Sequence, residues 1–166
     1  DQTSPAAVSQ GAMPAGATIQ QISAGYHHTC AIASDNKAYC WGLGNNGRLG
    51  NGSTGQQTTP VAVSQGALPA GATFRQIVAG DGHTCAVASD NKAYCWGYGG
   101  NGQLGNGDTP AVQNTPVAVS QGAMPVGATI KEIVVGMTHT CAIASDNKAY
   151  CWGANGNGEL GNNSTT

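Results

Sequence analysis

The chain has 166 residues, of which 8% are charged, and a formal net charge of −2 at pH 7. Its six Lys and Arg residues are scattered singly, so it lacks the clustered basic face with which proteins bind nucleic acid or an anionic membrane. The sequence contains no apolar run near the roughly 18 residues that a membrane span needs. We therefore expect neither nucleic acid nor membrane as a partner.

An internal repeat dominates the sequence. The string HTCAIASDNKAYCWG at 28–42 returns at 83–97 with one conservative change and at 139–153 with none. The copies are spaced 55 and then 56 residues apart, which identifies a tandem repeat and not a single irregular domain. Three units follow from this spacing, with the bounds 1–59, 60–115 and 116–166.

The second unit shows the predicted elements in chain order. A short apolar run, PVAV, begins at Pro60, a residue tolerated at a strand start or on an edge strand. TFRQIVAG is rich in β-branched residues, and HTCAVAS and KAYCWG flank the turn residues DN, which predicts a strand followed by a hairpin. A Gly- and Asn-rich loop follows. Four short strands per unit favour propeller blades, β-solenoid coils or a large barrel.

The order of IVAG, HTCAVASDNKAYCWG, GQLG and TPVAV resembles the repeat of the regulator of chromosome condensation family. The resemblance covers all three units and implies an all-β propeller, with about seven four-stranded antiparallel blades in the family. Its members include a guanine-nucleotide exchange factor, a bacterial β-lactamase inhibitor and many proteins of unknown role, so the fold does not name the function. This chain departs from the family in its number of blades and in its cysteine pair.

Three blades are too few to close a ring, because propellers close at roughly four to eight blades. The resemblance also makes each Pro-opened strand the outer strand of the preceding blade, so the first such strand has no blade of its own and the third blade lacks one. We expect two chains to form a homodimer that closes head to tail into a six-bladed ring. Each chain would donate a closure strand to its partner, formed by Pro5, Ala6, Ala7 and Val8. A fragment of a longer propeller, monomeric or loosely associated, is the alternative.

The cysteines are predicted to form disulfides within each hairpin. Cys30 and Cys40 are symmetric about Asp35, which implies a three-residue loop in which Asn36 suits the left-handed position. Directly opposed residues of an antiparallel pair have Cα atoms about 4.5 to 5.5 Å apart, within reach of a disulfide. The expected pairs are Cys30 with Cys40, Cys85 with Cys95, and Cys141 with Cys151. Paired cysteines indicate an oxidising location, either extracellular or at the cell surface.

A metal site and free buried thiols are the alternatives to a disulfide. His28, Cys30 and Cys40 could share one face of the hairpin, but three ligands at this spacing differ from the usual zinc motifs. We therefore predict no metal and no cofactor. The repeated His is expected to close the turn after the inner strand through hydrogen bonds. The repeated Trp is expected to pack between blades and not to bind sugar.

Positions that differ between the units identify a candidate binding surface. In a four-stranded meander, the loops after the first and third strands lie at the same end, so the variable residues should share one rim. Loops on a rigid scaffold commonly carry binding, although neutral drift would give the same pattern. The candidate rim comprises Tyr26, His27, Leu43, Arg48, Asp81, Tyr98, Gln103, Met137, Thr138 and Glu159, with the loops 53–58 and 108–114. A second variable group on the inner strand, expected to line the channel, comprises Gln20, Gln21, Arg75, Gln76, Lys131 and Glu132.

The sequence as a whole predicts a non-enzymatic scaffold, extracellular or surface-displayed, that binds another protein through the variable rim. The alternative is a purely structural, self-assembling propeller fragment whose partner is its own copy, and a lectin is a further one. We do not expect an enzyme, because every chemically able residue is either triplicated or isolated, whereas a catalytic site is one asymmetric constellation.

Overall fold

A computed structural model gives the fold and describes residues 2–108 and 111–166. Within these residues the chain forms three antiparallel sheets and one 3-10 turn, Asn45–Gly47. Blade 1 contains β1 (Ile19–Ala24), β2 (His28–Ala33), β3 (Ala38–Gly42) and β4 (Gln57–Ala62). Blade 2 contains β5 (Phe74–Ala79), β6 (His83–Ala88), β7 (Ala93–Tyr98) and β8 (Val112–Ala118). Blade 3 contains β9 (Ile130–Val135), β10 (His139–Ala144) and β11 (Ala149–Gly153).

Each blade is a simple meander in which consecutive strands pair. Blades 1 and 2 have four strands, whereas blade 3 has three among the described residues and leaves β11 as its edge. The repeat units and the blades are out of phase, because β4 and β8 cross the boundaries between units. In blades 1 and 2, the C-terminal half of the outer strand therefore belongs to the sequence unit that builds the following blade.

The central hairpin of each blade has the predicted geometry. Cys30 lies directly opposite Cys40, and Ala33 donates its amide to the carbonyl of Lys37, so a three-residue loop joins the strands. Asn36 in that loop has a φ of 59°, in the left-handed region that Asn tolerates. All three predicted disulfides are present, each with a Cα–Cα distance of 4.1 Å.

The outer strands begin earlier than the sequence predicted. β4 starts at Gln57, so Pro60 lies inside the strand and does not open it. The pairing with β3 is irregular there, because residues 58–60 stand opposite Trp41 alone. A proline fits at this bulge on an edge strand, since no regular ladder hydrogen bond needs its missing N–H. The carbonyl of Pro60 instead accepts a hydrogen bond from the amide of Ala12.

The hydrophobic core lies between consecutive blades. Ile32 and Leu49 of the first blade pack in one cluster with Phe74, Ile77 and Trp96 of the second. A second cluster joins blades 2 and 3 and includes Val87, Leu104, Ile130 and Ile133. Each blade thus covers one apolar face of its neighbour.

The two outermost faces are uncovered in the structure. Ile22 on blade 1 is 57% exposed, whereas its equivalents Ile77 and Ile133 are fully buried. On the opposite side, Ile143 of blade 3 is 40% exposed, whereas Ile32 and Val87 are each 2% exposed. The repeats therefore present apolar side chains at both ends of the array that the same repeats bury at every internal junction.

Replacing Cys85 and Cys95 together by Ala should lower the free energy of unfolding by roughly 2.5 kcal/mol, because the loop that the disulfide closes gains entropy in the unfolded chain. Urea unfolding followed by Trp fluorescence measures the change. The wild-type protein under reducing conditions is the comparison, since it loses all three disulfides without losing buried atoms, and its midpoint should fall further. An unchanged midpoint in both samples would contradict the stabilising role.

Variable rim and blade junctions

The variable residues lie at one end of the blades, where the turn after the first strand contacts the loop after the third. Leu43 donates its amide to the carbonyl of His27 at 2.9 Å, and Tyr98 donates to Gly82 at 2.8 Å. Ala154 donates to Thr138 in the same way at 2.9 Å. The hairpin turns between the second and third strands lie at the opposite end. There the carbonyl of Asn36, in the first hairpin turn, accepts the amide of Phe74 at the start of β5. Of the predicted variable loops, Thr109 and Pro110 lie outside the described residues.

Two large side chains project from equivalent turns of the rim. Tyr26 in the first blade is 73% exposed, and Met137 in the third is 67% exposed. Tyr26 is held edge-on against the ring of His27, with ring centroids 4.5 Å apart. The corresponding turn of the second blade holds Asp81 and Gly82, and the Asp81 carboxylate lies 3.9 Å from Nη1 of Arg48.

Arg48 and Gln103 were predicted to belong to the rim surface, and their side chains are buried instead. Arg48 donates from Nε to the carbonyl of Asn45 and from Nη1 to the carbonyl of Asp81, at 2.9 and 2.8 Å. The Oε1 of Gln103 accepts from the amide of Asn101. These two side chains hold the rim loops in place through buried hydrogen bonds. Variation between the repeats therefore did not identify exposed residues at these two positions.

The same two residues organise the blade junctions through their carbonyl groups. The carbonyl of Arg48 accepts from Thr84 Oγ1 at 2.8 Å and from Trp96 Nε1 at 3.0 Å, both in the next blade. At the second junction, the carbonyl of Gln103 accepts from Thr140 and Trp152 at 2.9 and 3.0 Å. Because the junction uses the main chain, the side chain at this position is free to differ between repeats.

The repeated histidine extends this junction. Nε2 of His28 lies 2.7 Å from Thr84 Oγ1, and Nε2 of His83 lies 3.0 Å from Thr140 Oγ1. The hydroxyl proton of Thr84 is donated to the carbonyl of Arg48, so Nε2 of His28 must be the donor to the hydroxyl oxygen. The predicted closure of the turn after the inner strand is made by the main chain, since the carbonyl of His28 accepts the amide of Gly25 at 2.8 Å, whereas the ring reaches the neighbouring blade. The prediction that Trp96 packs between blades is confirmed.

Burial sets the charge of these histidines. Desolvation lowers the pKa of His28 to about 4, with the positive Arg48 nearby adding to the effect. Desolvation likewise lowers the pKa of His83 to about 4. Both rings are therefore neutral near pH 7, which suits them as donors in a dry junction and leaves them poorly placed for proton transfer with a solvent-borne substrate.

Two of the inner-strand residues that were expected to line the channel, Gln21 and Gln76, bond across the junctions between blades. The Oε1 of Gln21 accepts the amide of Ile77 at 3.0 Å, across the first junction. Gln76 bonds to both the amide and the carbonyl of Ile133, at 2.9 and 2.8 Å. These glutamines link neighbouring inner strands, whose edges carry unpaired main-chain groups.

The other inner-strand residues, Gln20, Arg75, Lys131 and Glu132, are exposed. Arg75 and Lys131 bond to Asn91 Oδ1 and Asn147 Oδ1 at the hairpin end. Sequence reasoning missed the role of Ser23, whose hydroxyl oxygen accepts the amide of Ala79 at 3.0 Å. A signal was available, since Ser23 stands where the other units have Val78 and Val134.

The cysteine sulfurs are bonded to each other, so neither Cys30 nor Cys40 is a thiolate that could join His28 in a metal site. Among the described residues, no group of three or more His, Cys, Asp or Glu side chains is arranged to hold a metal ion. No helix in the described part of the chain is long and apolar enough to span a membrane.

Antiparallel meander blades that pack face to face in a row, with the inner strands adjacent, define a β-propeller repeat protein. A model of the regulator of chromosome condensation (RCC1) repeat matches residues 35–87 and 90–143. A second model with the same description matches residues 19–48, 74–103 and 130–159. The chain belongs to the RCC1 repeat family.

Several known proteins share this sequence pattern. The chain is 32% identical over 148 residues to the ultraviolet-B receptor UVR8 of Arabidopsis thaliana, covering 88% of this chain and 32% of the receptor. It is 30% identical over 148 residues to the human probable E3 ubiquitin-protein ligase HERC4, covering 89% of this chain and 13% of the ligase. The chain thus spans about a third or less of these relatives.

Solved structures share the fold. Human WBSCR16 superposes with a TM-score of 0.75 at 20% identity, over 84% of this chain and 34% of that one. Prp20p of Saccharomyces cerevisiae superposes with a TM-score of 0.73 at 23% identity, over 88% of this chain and 35% of that one. The three blades therefore match about a third of each of these two structures.

The stability of the protein should fall as the pH is lowered from 6.5 towards 4. In this range His28 and His83 take up protons in the unfolded chain but stay neutral in the folded protein, where burial lowers their pKa to about 4. Each histidine contributes up to about 3 kcal/mol to this loss by linkage. His83→Gln keeps a side-chain N–H near Thr140 but cannot be protonated. Its unfolding free energy should therefore fall less over this pH range.

Thermal or urea unfolding at pH values from 4 to 7.5 measures both profiles. His27→Gln is the matched control, since His27 is exposed on the rim, and its profile should follow the wild type. Parallel profiles for all three proteins would show that the buried histidines are not the cause.

Proposed function

We propose that the chain is a non-enzymatic, secreted or surface-displayed scaffold that binds another protein through its variable rim. The single observation that carries the proposal is the pair of exposed side chains, Tyr26 and Met137, in equivalent turns at one end of a rigid array. Aromatic and Met side chains are enriched in the buried centres of protein interfaces. Their main-chain supports are fixed by the hydrogen bonds between the two sets of rim loops.

The chemistry of the rest of the molecule supports a binding role. His28 and His83 are buried in the blade junctions and hydrogen-bonded to threonine, so they are committed to structure. The three disulfides support an oxidising location. The structural report on Prp20p describes its binding to Gsp1p and histones, which makes protein binding a known use of this fold.

Replacing Tyr26 and Met137 together by Ala should reduce capture of a specific protein partner at least about tenfold, because central aromatic and Met anchors commonly carry more than 1.4 kcal/mol of binding energy. The measurement is affinity capture from a secreted-protein fraction, quantified by mass spectrometry against the wild type. Val126→Ala is the control, since Val126 is 97% exposed in a turn at the opposite end. Equal recovery with all three baits would refute binding through the rim.

A second candidate function, self-assembly into a closed ring, is favoured by the two uncovered faces. Ile19 and Ile22 are exposed on blade 1, and Ile143 is exposed on blade 3, although their repeat equivalents are buried at the internal junctions. A head-to-tail contact between two copies would bury both sets at once. Because the contact is heterologous, rotational symmetry must close it, and two copies would give six blades.

The polar groups on the two exposed faces are also complementary to each other. Blade 1 presents Thr29 and Trp41, the equivalents of the junction donors Thr84 and Trp96. Blade 3 presents the carbonyl of Glu159 and the ring of His139, the equivalents of Arg48 and His28. A second copy placed head to tail would therefore repeat each hydrogen bond of the internal junctions, whereas an unrelated surface would not.

Ile22→Asp should convert the assembled protein into a monomer, because it places an unpaired charge at the centre of the proposed contact while Ile22 stays solvent-exposed in the single chain. Sedimentation equilibrium or native mass spectrometry should give twice the chain mass of 16.5 kDa for the wild type. The variant should give the single mass. Val126→Asp is the charge-matched control and should remain dimeric; a monomeric wild type at micromolar concentration would rule out the ring.

A further inference from the structure

We propose that a cavity between the inner strands of blades 2 and 3 binds a small tetrahedral oxyanion, phosphate or sulfate, between Arg75 and Lys131. The site lies at the hairpin end of the blades, away from the variable rim. All of its residues belong to one chain, so it depends neither on a rim partner nor on self-assembly.

Each inner strand has a β-bulge at the same position of the repeat. In β5 the register shifts between Phe74 and Gln76, so Arg75 has no partner in the ladder. The register shifts in the same way around Lys131 in β9 and around Gln20 in β1. A bulge re-aims the side chain of the extra residue, and bulges are common beside functional sites. The fold therefore presents one re-aimed side chain from each inner strand, and that residue differs in all three blades.

The two cationic bulge residues face one cavity between β5 and β9. Its volume is about 330 Å³, and its lining consists of Arg75, Gln76, Val87, Lys131 and Glu132. The two strands are held together here by Gln76, which bonds to the amide and the carbonyl of Ile133 at 2.9 and 2.8 Å. Both cations are exposed to solvent, so a dissolved ion can reach them.

The cationic side chains are positioned before any ligand binds. Arg75 donates from Nη1 to Oδ1 of Asn91, and Lys131 donates from Nζ to Oδ1 of Asn147. Each accepting amide lies in the hairpin turn of the same blade. Each cation has further N–H donors left for a ligand. Holding a flexible side chain in place beforehand reduces the entropic cost of binding.

Neither cation is neutralised by a carboxylate. Among the residues that the structure describes, the single ion pair joins Arg48 to Asp81, at the other end of the blades. A doubly charged oxyanion between Arg75 and Lys131 would accept charge-assisted hydrogen bonds from both, and phosphate and sulfate offer both the charge and the acceptor oxygens. Glu132 lines the same cavity without pairing with either cation, so it weakens the site without filling it.

The equivalent cavity between β1 and β5 lacks the second cation. It is lined by Gln20, Gln21, Ile32, Asn36, Phe74 and Arg75. Gln20 stands there in the place that Arg75 takes in the second cavity, and Arg75 stands in the place of Lys131. One cation beside a neutral amide attracts a dianion less than a pair of cations does. The first junction is therefore a control, built into the chain, for the pair at the second.

The test is a titration of sodium phosphate or sodium sulfate into the ¹⁵N-labelled full chain, at constant ionic strength maintained with chloride. Saturable amide shifts are expected around Arg75 and Lys131. Arg75→Gln and Lys131→Gln should each raise the dissociation constant about fivefold, the upper value for one exposed charge pair. Lys37→Gln removes the same charge from the hairpin turn of blade 1 and should leave the constant unchanged.

A double variant with the net charge of the wild type should move the site. Lys131→Gln combined with Gln20→Arg places the pair of cations in the first cavity, so affinity should return and the shifts should appear around position 20 and Asn36. Glu132→Gln should lower the dissociation constant of the original site, because it removes a charge that repels the anion.

A Lys37→Gln variant that loses as much affinity as Lys131→Gln would show attraction by net charge alone and overturn the site. Shifts that fail to saturate at tens of millimolar anion, or an equal response to chloride, would overturn it too. So would a double variant that does not recover affinity. The amide spectrum of each variant without anion shows that it is folded, which separates lost binding from lost structure.

The outcome is independent of the proposed function. The rim variants Tyr26→Ala and Met137→Ala lie at the other end of the blades and should bind the anion like the wild type.

Discussion

The structure depends on a main-chain carbonyl that accepts two side-chain donors from the neighbouring blade. The carbonyl of Arg48 takes the hydroxyl of Thr84 and the indole of Trp96, and the threonine in turn accepts from His28. The group is dry and fully paired at the carbonyl, so it fixes the spacing and orientation of adjacent blades more tightly than apolar contact alone. Each of the two junctions contains one copy of this arrangement.

This constraint explains the distribution of change along the chain. The donors lie in the strings HTC and WG, which recur in each unit, whereas the acceptor is a carbonyl and leaves its side chain free to differ. Arg48 therefore stands where Gln103 and Glu159 stand in the other units. The rim can vary in chemistry without disturbing the junctions that support it, which suits a scaffold whose binding surface is separate from its stabilising contacts.

A repeat that stabilises itself only against its neighbour leaves one unmatched face at each end. Here the exposed face of blade 1 carries donors and the exposed face of blade 3 carries an acceptor, so each face is complementary to the other and not to itself. The proposed self-assembly therefore repeats an internal contact and needs no new surface chemistry.

The sequence by itself determined the repeat, the strand order of the blades, the cysteine pairs and the propeller class, because these follow from local periodicity, turn residues and cross-strand symmetry about Asp35. Only the tertiary structure decided what the single residues do. Arg48 and Gln103 are buried, Gln21 and Gln76 link inner strands, and the histidine reaches the next blade. These roles depend on which side of a blade faces its neighbour, and a one-dimensional pattern of exposed-looking polar residues does not contain that information.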